Sequence, residues 1–566
     1  MDMARPDRAA LCATIRLVEP EGIVAFKRRA VIILPALVGL GVQALVWSRG
    51  GYDSAWDDMA ITAAFVRTFA DTGRIALTPS SEIVEGMSTP LWFLILAACT
   101  RVFSLDAHAL YRTAQALSSL LLDATLLLLG ASVARVIQDR RDAAWALAGL
   151  CLLPLWSPFV HESVNGMENP LIALLLVGGA WWAAVKPAAL AWVCVLLVWL
   201  RVEGGLLVLP LACLGLNRRT FQAVAAAASA AFLAQEAWRY ATFGELVPNT
   251  VLAKLHEPYW PAGTVQAIVT DRILYLRDVV PTAFLPLALI LGRRGTWTRI
   301  RDGIRPGGTL VPPMLAALGA AVALALMVGP EWGGGYPGRM IYPLSLLFWS
   351  GLTLLWAASS RGWLRALILL LCCGLAARDF IRAEHTAPSG ATITVENYRR
   401  SNAVPLNALA EAAGKDGLVV AIPDVGGTSL FGPAHTIVDT GLLCNRMLAR
   451  HGYGALYDQL FGSPMVDVIE THGVFTRLSG IREGASLQAL TCHFVPVSIG
   501  GKVFYLHRSL FERLQLPEAA CVPGWEVRGR RGAEALGRRA KALRADLDLA
   551  GSFPCVFILR MGGARP

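Results

Sequence analysis

From Ala30 to Trp47 the chain runs eighteen residues without a charge. A helix rises about 1.5 Å per residue, so such a run nearly spans a hydrocarbon layer of about 30 Å. In lipid every backbone N–H and C=O must be satisfied within the chain, which leaves a helical bundle as the architecture for repeated runs of this kind. They recur at Thr113–Ala134, Ala143–Val160, Pro170–Val185, Ala188–Leu200, Gly204–Leu216, Phe221–Ala234, Val279–Leu291, Leu310–Val328, Met340–Ala358 and Trp363–Ala377. About eleven spans are expected. With 55% hydrophobic and 16% charged residues over 566 positions, and a mean hydropathy of +0.51, the composition excludes an ordinary soluble protein. The chain reads as a polytopic α-helical membrane protein. Met1–Arg29 has the charge of a signal segment, but the apolar run behind it is long and no small-residue cleavage pattern follows Trp47, so an uncleaved first span is expected.

The net charge of +10 reports orientation. Arginines cluster in short loops between apolar runs, the positive-inside pattern, and a nucleic-acid partner is a poor reading. The run Pro90–Phe103 decides the topology. If it crossed, Arg135, Arg140 and Arg141 and every later basic loop would lie outside. As a juxtamembrane helix it leaves Lys27–Arg29, Arg135–Arg141, Lys186, Arg218–Arg219, Arg293–Arg305 and Arg361–Arg365 inside, as the charge rule prefers. The amino terminus is then cytoplasmic, and the stretches Arg49–Arg112, His161–Asn169, Ala237–Asp278 and Glu331–Arg339 face one extracytoplasmic compartment. Residues 1–378 form the membrane domain, with 49–112 as its first outside loop. Residues 379–566 turn polar and read as a soluble extracytoplasmic α/β domain, with strands at Gly417–Ile422, His435–Asp439 and Val466–Glu470 and a helix at Leu442–Arg450. Gly426-Gly427 follows a candidate strand, but without GxGxxG or GxxxxGK nucleotide binding is weakly supported.

Of the eleven cysteines, Cys99, Cys151, Cys194, Cys213, Cys372 and Cys373 sit in apolar runs, where a thiol acts as a small hydrophobe. None has CxxC metal spacing. Cys444, Cys492, Cys521 and Cys555 lie in the tail and are available for one or two disulfides in an oxidising compartment.

Trp56-Asp57-Asp58 stands just beyond the first span. Ionisable groups near lipid cost several kcal/mol unless solvated, paired or used, and neighbouring carboxylates have separated pKa values, as a general base or cation-stabilising site requires. The plain alternative is a solvated turn or helix cap. Downstream, Glu85-Gly86-Met87-Ser88-Thr89-Pro90 predicts a turn and a helix start with Thr89 as N-cap and Pro90 at the first helical position; Glu85 is left over as possible active-site support. In the second outside loop, Glu168 either stabilises a helix amino terminus or serves the site. His161 and Glu162 together with the aspartates offer ligands for a divalent cation, without distinctive spacing. Arg201 and Glu203 are expected to pair at the membrane surface. Asp123, inside a span, is expected to hydrogen-bond to a neighbouring helix. Lys254 and Arg339 are isolated cations in outside loops, the latter after Gly333-Gly334-Gly335; they fit either a phosphate partner or lipid-headgroup anchoring. Outside carboxylates and cations beside an apolar bundle suit transfer of a sugar from a lipid phosphate: cations hold the departing phosphate, and a carboxylate deprotonates the incoming hydroxyl.

These residues resemble a known family. Asp57-Asp58, Val84-Glu85-Gly86-Met87-Ser88-Thr89-Pro90-Leu91-Trp92, Gly166-Met167-Glu168-Asn169-Pro170-Leu171, Leu200-Arg201-Val202-Glu203-Gly204, Pro248-Asn249-Thr250 through Lys254, and Arg339 before Pro343 look like the bacterial GT-C membrane glycosyltransferases, and within them the terminal β-(1→2)-arabinofuranosyltransferase family. Ile437-Val438-Asp439-Thr440-Gly441-Leu442 and Ile469-Glu470-Thr471-His472-Gly473 are similar to that family's extracytoplasmic domain. The resemblance covers nearly the whole chain. It implies a GT-C fold, a polyprenyl-phosphate sugar donor such as decaprenyl-phosphate arabinofuranose, a cell-envelope glycan acceptor, Asp57 as catalytic acid residue with Asp58 as its partner, and phosphate contact by Lys254 and Arg339. Two departures, Met59-Ala60-Ile61-Thr62 after the acid pair and Asn169 where Thr is more usual, bear on the donor sugar. Alternatives are the same donor chemistry with a protein acceptor such as a pilin, or a transporter of lipid-linked sugar, which is expected to place ionisable residues near mid-membrane and to show paired repeats.

Overall fold

The computed structural model describes residues 21–48, 57–136, 147–155, 157–201, 204, 218–256, 394–462, 466–514, 521–522, 549, 552–553 and 556–559. Trp56, Glu203, Arg339, Cys213, Cys372, Cys373, Cys555 and the apolar runs after 256 lie outside the described residues, so the expected span count reaches beyond them.

Among the described residues two helices are long and apolar enough to cross a membrane, within α1 (Glu21–Ser48) and, further along, Ala107–Val136. α1 turns Leu34, Leu37 and Leu40 outward, as lipid-facing positions would be. The two helices touch closely because Gly130 has no side chain: a Cβ there would stand 2.6 Å from the Val31 carbonyl oxygen, the small-residue contact that lets membrane helices approach. Gln43 of α1 donates to Asp123 at 3.2 Å, which is the interhelical hydrogen bond expected of that aspartate.

Between them lie α2 (Asp57–Thr72) and α3 (Pro90–Phe103), the latter with the bounds read from the sequence. Thr89 does hold the N-cap position, but its hydroxyl makes no capping bond. Its φ of −136° and ψ of 69° lie outside the β-region geometry that turns a cap side chain onto the first turn. α4 (Ala107–Val136) leads to α5 (Ser157–Val164), α6 (Asn169–Val185), α7 (Leu190–Leu200), α8 (Arg218–Phe243) and the short α9 (Asn249–Ala253). α6 packs on α4 and α7, and α7 on α8.

The carboxyl-terminal part is an α/β layer. After α10 (Val395–Tyr398) and α11 (Val404–Ala412) come β1 (Val419–Ile422), α12 (Val425–Phe431), β2 (Thr436–Asp439), α13 (Arg446–His451), α14 (Leu456–Phe461), β3 (Val468–Ile469), α15 (Gly473–Leu478), α16 (Gly484–His493), β4 (Phe494–Ile499), β5 (Lys502–His507), α17 (Arg508–Arg513), β6 (Cys521–Val522) and β7 (Val556–Leu559). The sheet order is β2-β1-β3-β5-β4-β7-β6, with β2, β1 and β3 mutually parallel and β5 antiparallel to β3 and β4. The expected strands are present but shorter. The expected helix over 442–450 starts only at Arg446, because Leu442 has φ 73° and Gly441 and Cys444 both give their N–H to Asp439 at 2.6 Å. That loop is held by a side chain, and Asn445 then caps α13 by accepting from Leu448 N–H.

α2 joins the two parts. Met59, Ala60, Ile61, Thr62, Ala63, Ala64, Phe65 and Val66 are buried without a break, so this middle stretch of the helix is enclosed on every side. Its enclosure comes from α3 on one side and α12 on the other, and one continuous core runs from Phe65 and Trp92 to Val420, Ile422 and Val425. A buried ion pair ties the same layer to α8: Glu85 accepts from Arg239 Nε at 2.5 Å and from its Nη2 at 3.3 Å, with both side chains at most 3% exposed. Arg239 also pairs with Glu236. Removing one partner of such a pair leaves a buried charge uncompensated. Because Glu236 remains, Glu85→Ala is expected near the low end of that class, about 3 kcal/mol, read as a lowered midpoint in thermal unfolding of the solubilised protein; an unchanged midpoint contradicts the clamp.

Candidate active site at the strand-end edge

In an open α/β sheet, ligands bind at the carboxyl ends of parallel strands where neighbouring connections diverge. Here β1 lies between β2 and β3, and an acid stands at each of the three ends: Asp424 after β1, Asp439 closing β2 and Glu470 after β3. Asp57 is brought to this edge by α2. Its carboxylate accepts Gly427 N–H at 2.6 Å through one oxygen and Gly426 N–H at 3.2 Å through the other. The Gly-Gly pair after the first strand is therefore an anion cradle, as its composition permits, but its anion is the side chain singled out at the far end of the sequence. A Cβ on Gly426 would stand 2.6 Å from Asp57 Oδ1, and one on Gly427 would stand 2.8 Å from the Val395 carbonyl oxygen. Both positions need glycine for this approach.

Asp57 is half-buried and Asp58, one position on, is exposed. Burial pushes the Asp57 carboxyl well above the usual carboxylate range, the negative charge of Asp424 pushes it the same way, and the Gly427 N–H opposes them. Behind Asp57 runs a polar network. His472 Nε2 lies 3.0 Å from Asp424 and Nδ1 lies 2.9 Å from Glu470. Lys502 Nζ reaches Glu470 at 3.1 Å and donates to Asn402 at 2.6 Å, and it stands 5.7 Å from the centre of the Tyr398 ring. Burial alone lowers His472, but Asp424 and Glu470 outweigh it and hold the imidazole well above its ordinary value. Burial raises Asp424 and Glu470, yet His472 and Lys502 together bring both below the usual range. Among the described residues no cation of this kind reaches Asp439; burial pushes it up to about 7 against the N–H donors of Cys444 and Gly441.

The other sequence-derived residues fall in two places. Glu168 occupies the N-cap position of α6 without a capping side-chain bond and pairs with Arg201 at 2.8 Å, both buried. The end of α7 returns beside the start of α6, which brings Arg201 to Glu168; the expected Arg201–Glu203 pair involves a residue outside the described ones. Glu162 accepts from Asn165 at 3.0 Å and Asn169 at 3.2 Å, and His161 lies in α5. Among the described residues no three His, Cys, Asp or Glu side chains gather as a metal site; Glu162 is bound up in amides instead. Lys254 is exposed and ends α9. The same helix begins at Asn249, which donates to the Leu443 carbonyl at 2.8 Å, next to Cys444, a thiol close enough to be raised by Asp57 and Asp58 after burial and Asp439. The loop 442–446 thus links the Lys254 helix to the acid pair. Glu85 serves the Arg239 clamp. The tail disulfides are corrected for two cysteines: Cys444 and Cys492 are free, since Cys444 is drawn inward by Asp439 and packs on the Gly86 carbonyl at 3.9 Å, whereas Cys492 is exposed.

Sequence reasoning missed Tyr398, Asp424, Lys502 and Arg239 as parts of this arrangement. Glu470 and His472 were visible only as pieces of a resembling motif.

No family model and no curated protein matches the chain. Among solved structures, the chain is similar to the crystal structure of the Archaeoglobus fulgidus oligosaccharyltransferase in the apo form, at 11% identity over 85% of this chain and 74% of that one, with a TM-score of 0.47. It is similar as well to apo ArnT from Cupriavidus metallidurans, at 14% identity over 85% and 98% of the two chains, also with a TM-score of 0.47. Likeness at this level fixes neither fold nor chemistry, so the chemistry is argued from the side chains.

The network predicts a stability window. A histidine raised on folding stabilises fully below its unfolded value near 6.5 and loses that contribution as pH rises through its folded value; carboxylates lowered on folding stabilise above about 4 and lose it as pH falls. His472, Asp424 and Glu470 together are fully stabilising between about pH 4.3 and 6.5. Thermal midpoints measured against pH should therefore fall on the alkaline side in the wild type, and His472→Gln should lower the midpoints below about pH 6.5 and lessen that fall; the part that remains belongs to Asp57 and Asp439, whose raised carboxyls cost stability as they ionise. Parallel curves for the two proteins would contradict the assignment.

Proposed function

We propose that the chain is a membrane glycosyltransferase of GT-C type that moves a sugar, with arabinofuranose the first candidate, from a polyprenyl-phosphate donor to a cell-envelope glycan on the extracytoplasmic side. The observation that carries this reading is Asp57: a half-buried carboxylate whose proton affinity is raised by burial and Asp424, held at the strand-end edge of a sheet and delivered there from beside an apolar helix long enough to cross a membrane. A base must accept a proton at the operating pH, and a raised carboxyl does so better than an ordinary one. In the reaction, Asp57 takes the proton of an acceptor hydroxyl, the hydroxyl oxygen bonds to the anomeric carbon, and the bond from that carbon to the phosphate oxygen breaks. Asp58 adds negative charge beside the oxocarbenium-like centre. The leaving polyprenyl phosphate carries its electron pair away, and Lys254 and Arg339 are assigned to hold it. The donor's lipid tail lies in the bilayer beside α1 and α4, and residues 379–566 stand outside as the acceptor-side domain.

Purified protein incubated with polyprenyl-phosphate arabinofuranose and an arabinan acceptor is expected to release polyprenyl phosphate. Asp57→Asn should lower turnover by about 10²- to 10⁴-fold, the range for a lost general base, with donor binding retained. Lys254→Ala should weaken donor binding more than acceptor binding. Release that survives Asp57→Asn unchanged removes the catalytic assignment.

A further inference from the structure

We propose that the carboxyl-terminal domain is part of the catalytic centre, with Gly426 and Gly427 as positioning residues that aim the Asp57 carboxylate through their backbone N–H groups and Asp424 as the neighbour that adjusts it. The proposal rests on the glycosyltransferase reading for its reaction, but its geometry stands independently. Two donors, one on each carboxylate oxygen at 3.2 and 2.6 Å, fix the plane of the group as well as its position, which a single donor would leave free to rotate. The second lone pair on each oxygen remains for an incoming hydroxyl. The cradle cannot shift on its own. Gly427 is wedged against Val395 and Tyr398, Thr428 is tied to Asn402 at 3.1 Å, and Arg67 of α2 donates to the Leu430 carbonyl at 2.6 Å. The helix that carries the acid and the turn that aims it are therefore locked together along their lengths.

The charged and titratable groups that reach Asp57 are Asp58 on its own helix, Asp424 in the turn after β1, Tyr398 of α10 and Cys444 of the loop before α13. Of these, Asp424 acts most strongly after burial itself, and it is in turn neutralised in part by His472. The domain thus supplies both the orientation of the base and the charge that raises its proton affinity.

The test reads the Asp57 proton directly. A hydrophobic carbodiimide adds to protonated carboxyls and leaves a stable acylurea, which peptide mass spectrometry quantifies at Asp57 in the full chain, in lipid nanodiscs, over a pH series. The wild-type labelling midpoint should lie above the ordinary aspartate value of about 3.9. Asp424→Asn should lower it by about one pH unit, the effect of removing one near like charge, and move the acidic limb of the transfer rate down with it. In Gly426→Ala the methyl pushes the carboxylate off N–H donors that hold its proton affinity down, so the midpoint should rise further above the ordinary value while kcat falls at least tenfold and donor KM stays within twofold. If Gly426→Ala does not fold, Asp424→Asn alone decides. A midpoint that either folded variant leaves unmoved overturns the proposal. Labelling that shifts as stated, in a protein that releases no polyprenyl phosphate from its donor, upholds the cradle and overturns the transferase reading.

Discussion

A carboxylate cannot leave bulk water cheaply, and the place where Asp57 goes instead organises this molecule. Its two oxygens take the N–H groups of Gly426 and Gly427, so part of the hydration lost on docking is replaced by fixed dipoles. The replacement is incomplete, since burial and Asp424 still raise the group. That residual cost is offset by the apolar surface of α2 enclosed between α3 and α12. Structure and chemistry meet in the same contact: the docking that buries Met59, Phe65 and Val66 is what places the acid at the strand ends.

The remaining buried charges follow the same logic in pairs. Glu85 with Arg239 and Glu168 with Arg201 are each enclosed; the first joins a loop acid to α8, 154 positions on, and the second joins the start of α6 to the end of α7. Buried pairs of this kind add little net stability relative to apolar packing. We read their role as register: a helix end that slid by one turn would leave both partners unpaired. The Asp424–His472–Glu470–Lys502 network differs because it mixes two acids with two cations, which keeps the strand-end edge polar without leaving any one sign of charge dominant behind Asp57.

The sequence disclosed the parts of this arrangement whose signals are local. α3 was legible to the residue because an apolar run, a proline at its first position and a polar flank coincide. The Asp123 hydrogen bond followed from the cost of a lone carboxyl in an apolar segment. Asp57 stood out for the same reason, and Gly426-Gly427 for its place after a strand. Their union was hidden, since 369 and 370 positions separate the partners and no local pattern encodes a contact of that length. The Glu168–Arg201 pair was hidden in the same way, with 33 positions between its partners. Arg239 drew no notice because it falls in the stretch read as an outside loop, Ala237–Asp278, where nothing local marks a partner 154 positions away. Thr89 misled because capping depends on backbone angles that composition does not specify, and the 442–450 segment misled because nothing local in it marks a loop pinned by Asp439.

The central claim is that Asp57 works from within the cradle of the carboxyl-terminal domain, facing the donor's anomeric carbon. A cryo-electron microscopy structure of the full chain in nanodiscs, with a non-transferable polyprenyl-phosphonate sugar bound, tests it most directly. The account predicts the sugar at the strand-end edge, with the Asp57 carboxylate still on Gly426 and Gly427 and within about 5 Å of the anomeric carbon, room for one acceptor hydroxyl between them. A sugar bound elsewhere, with Asp57 and its cradle undisturbed and out of reach, would contradict it.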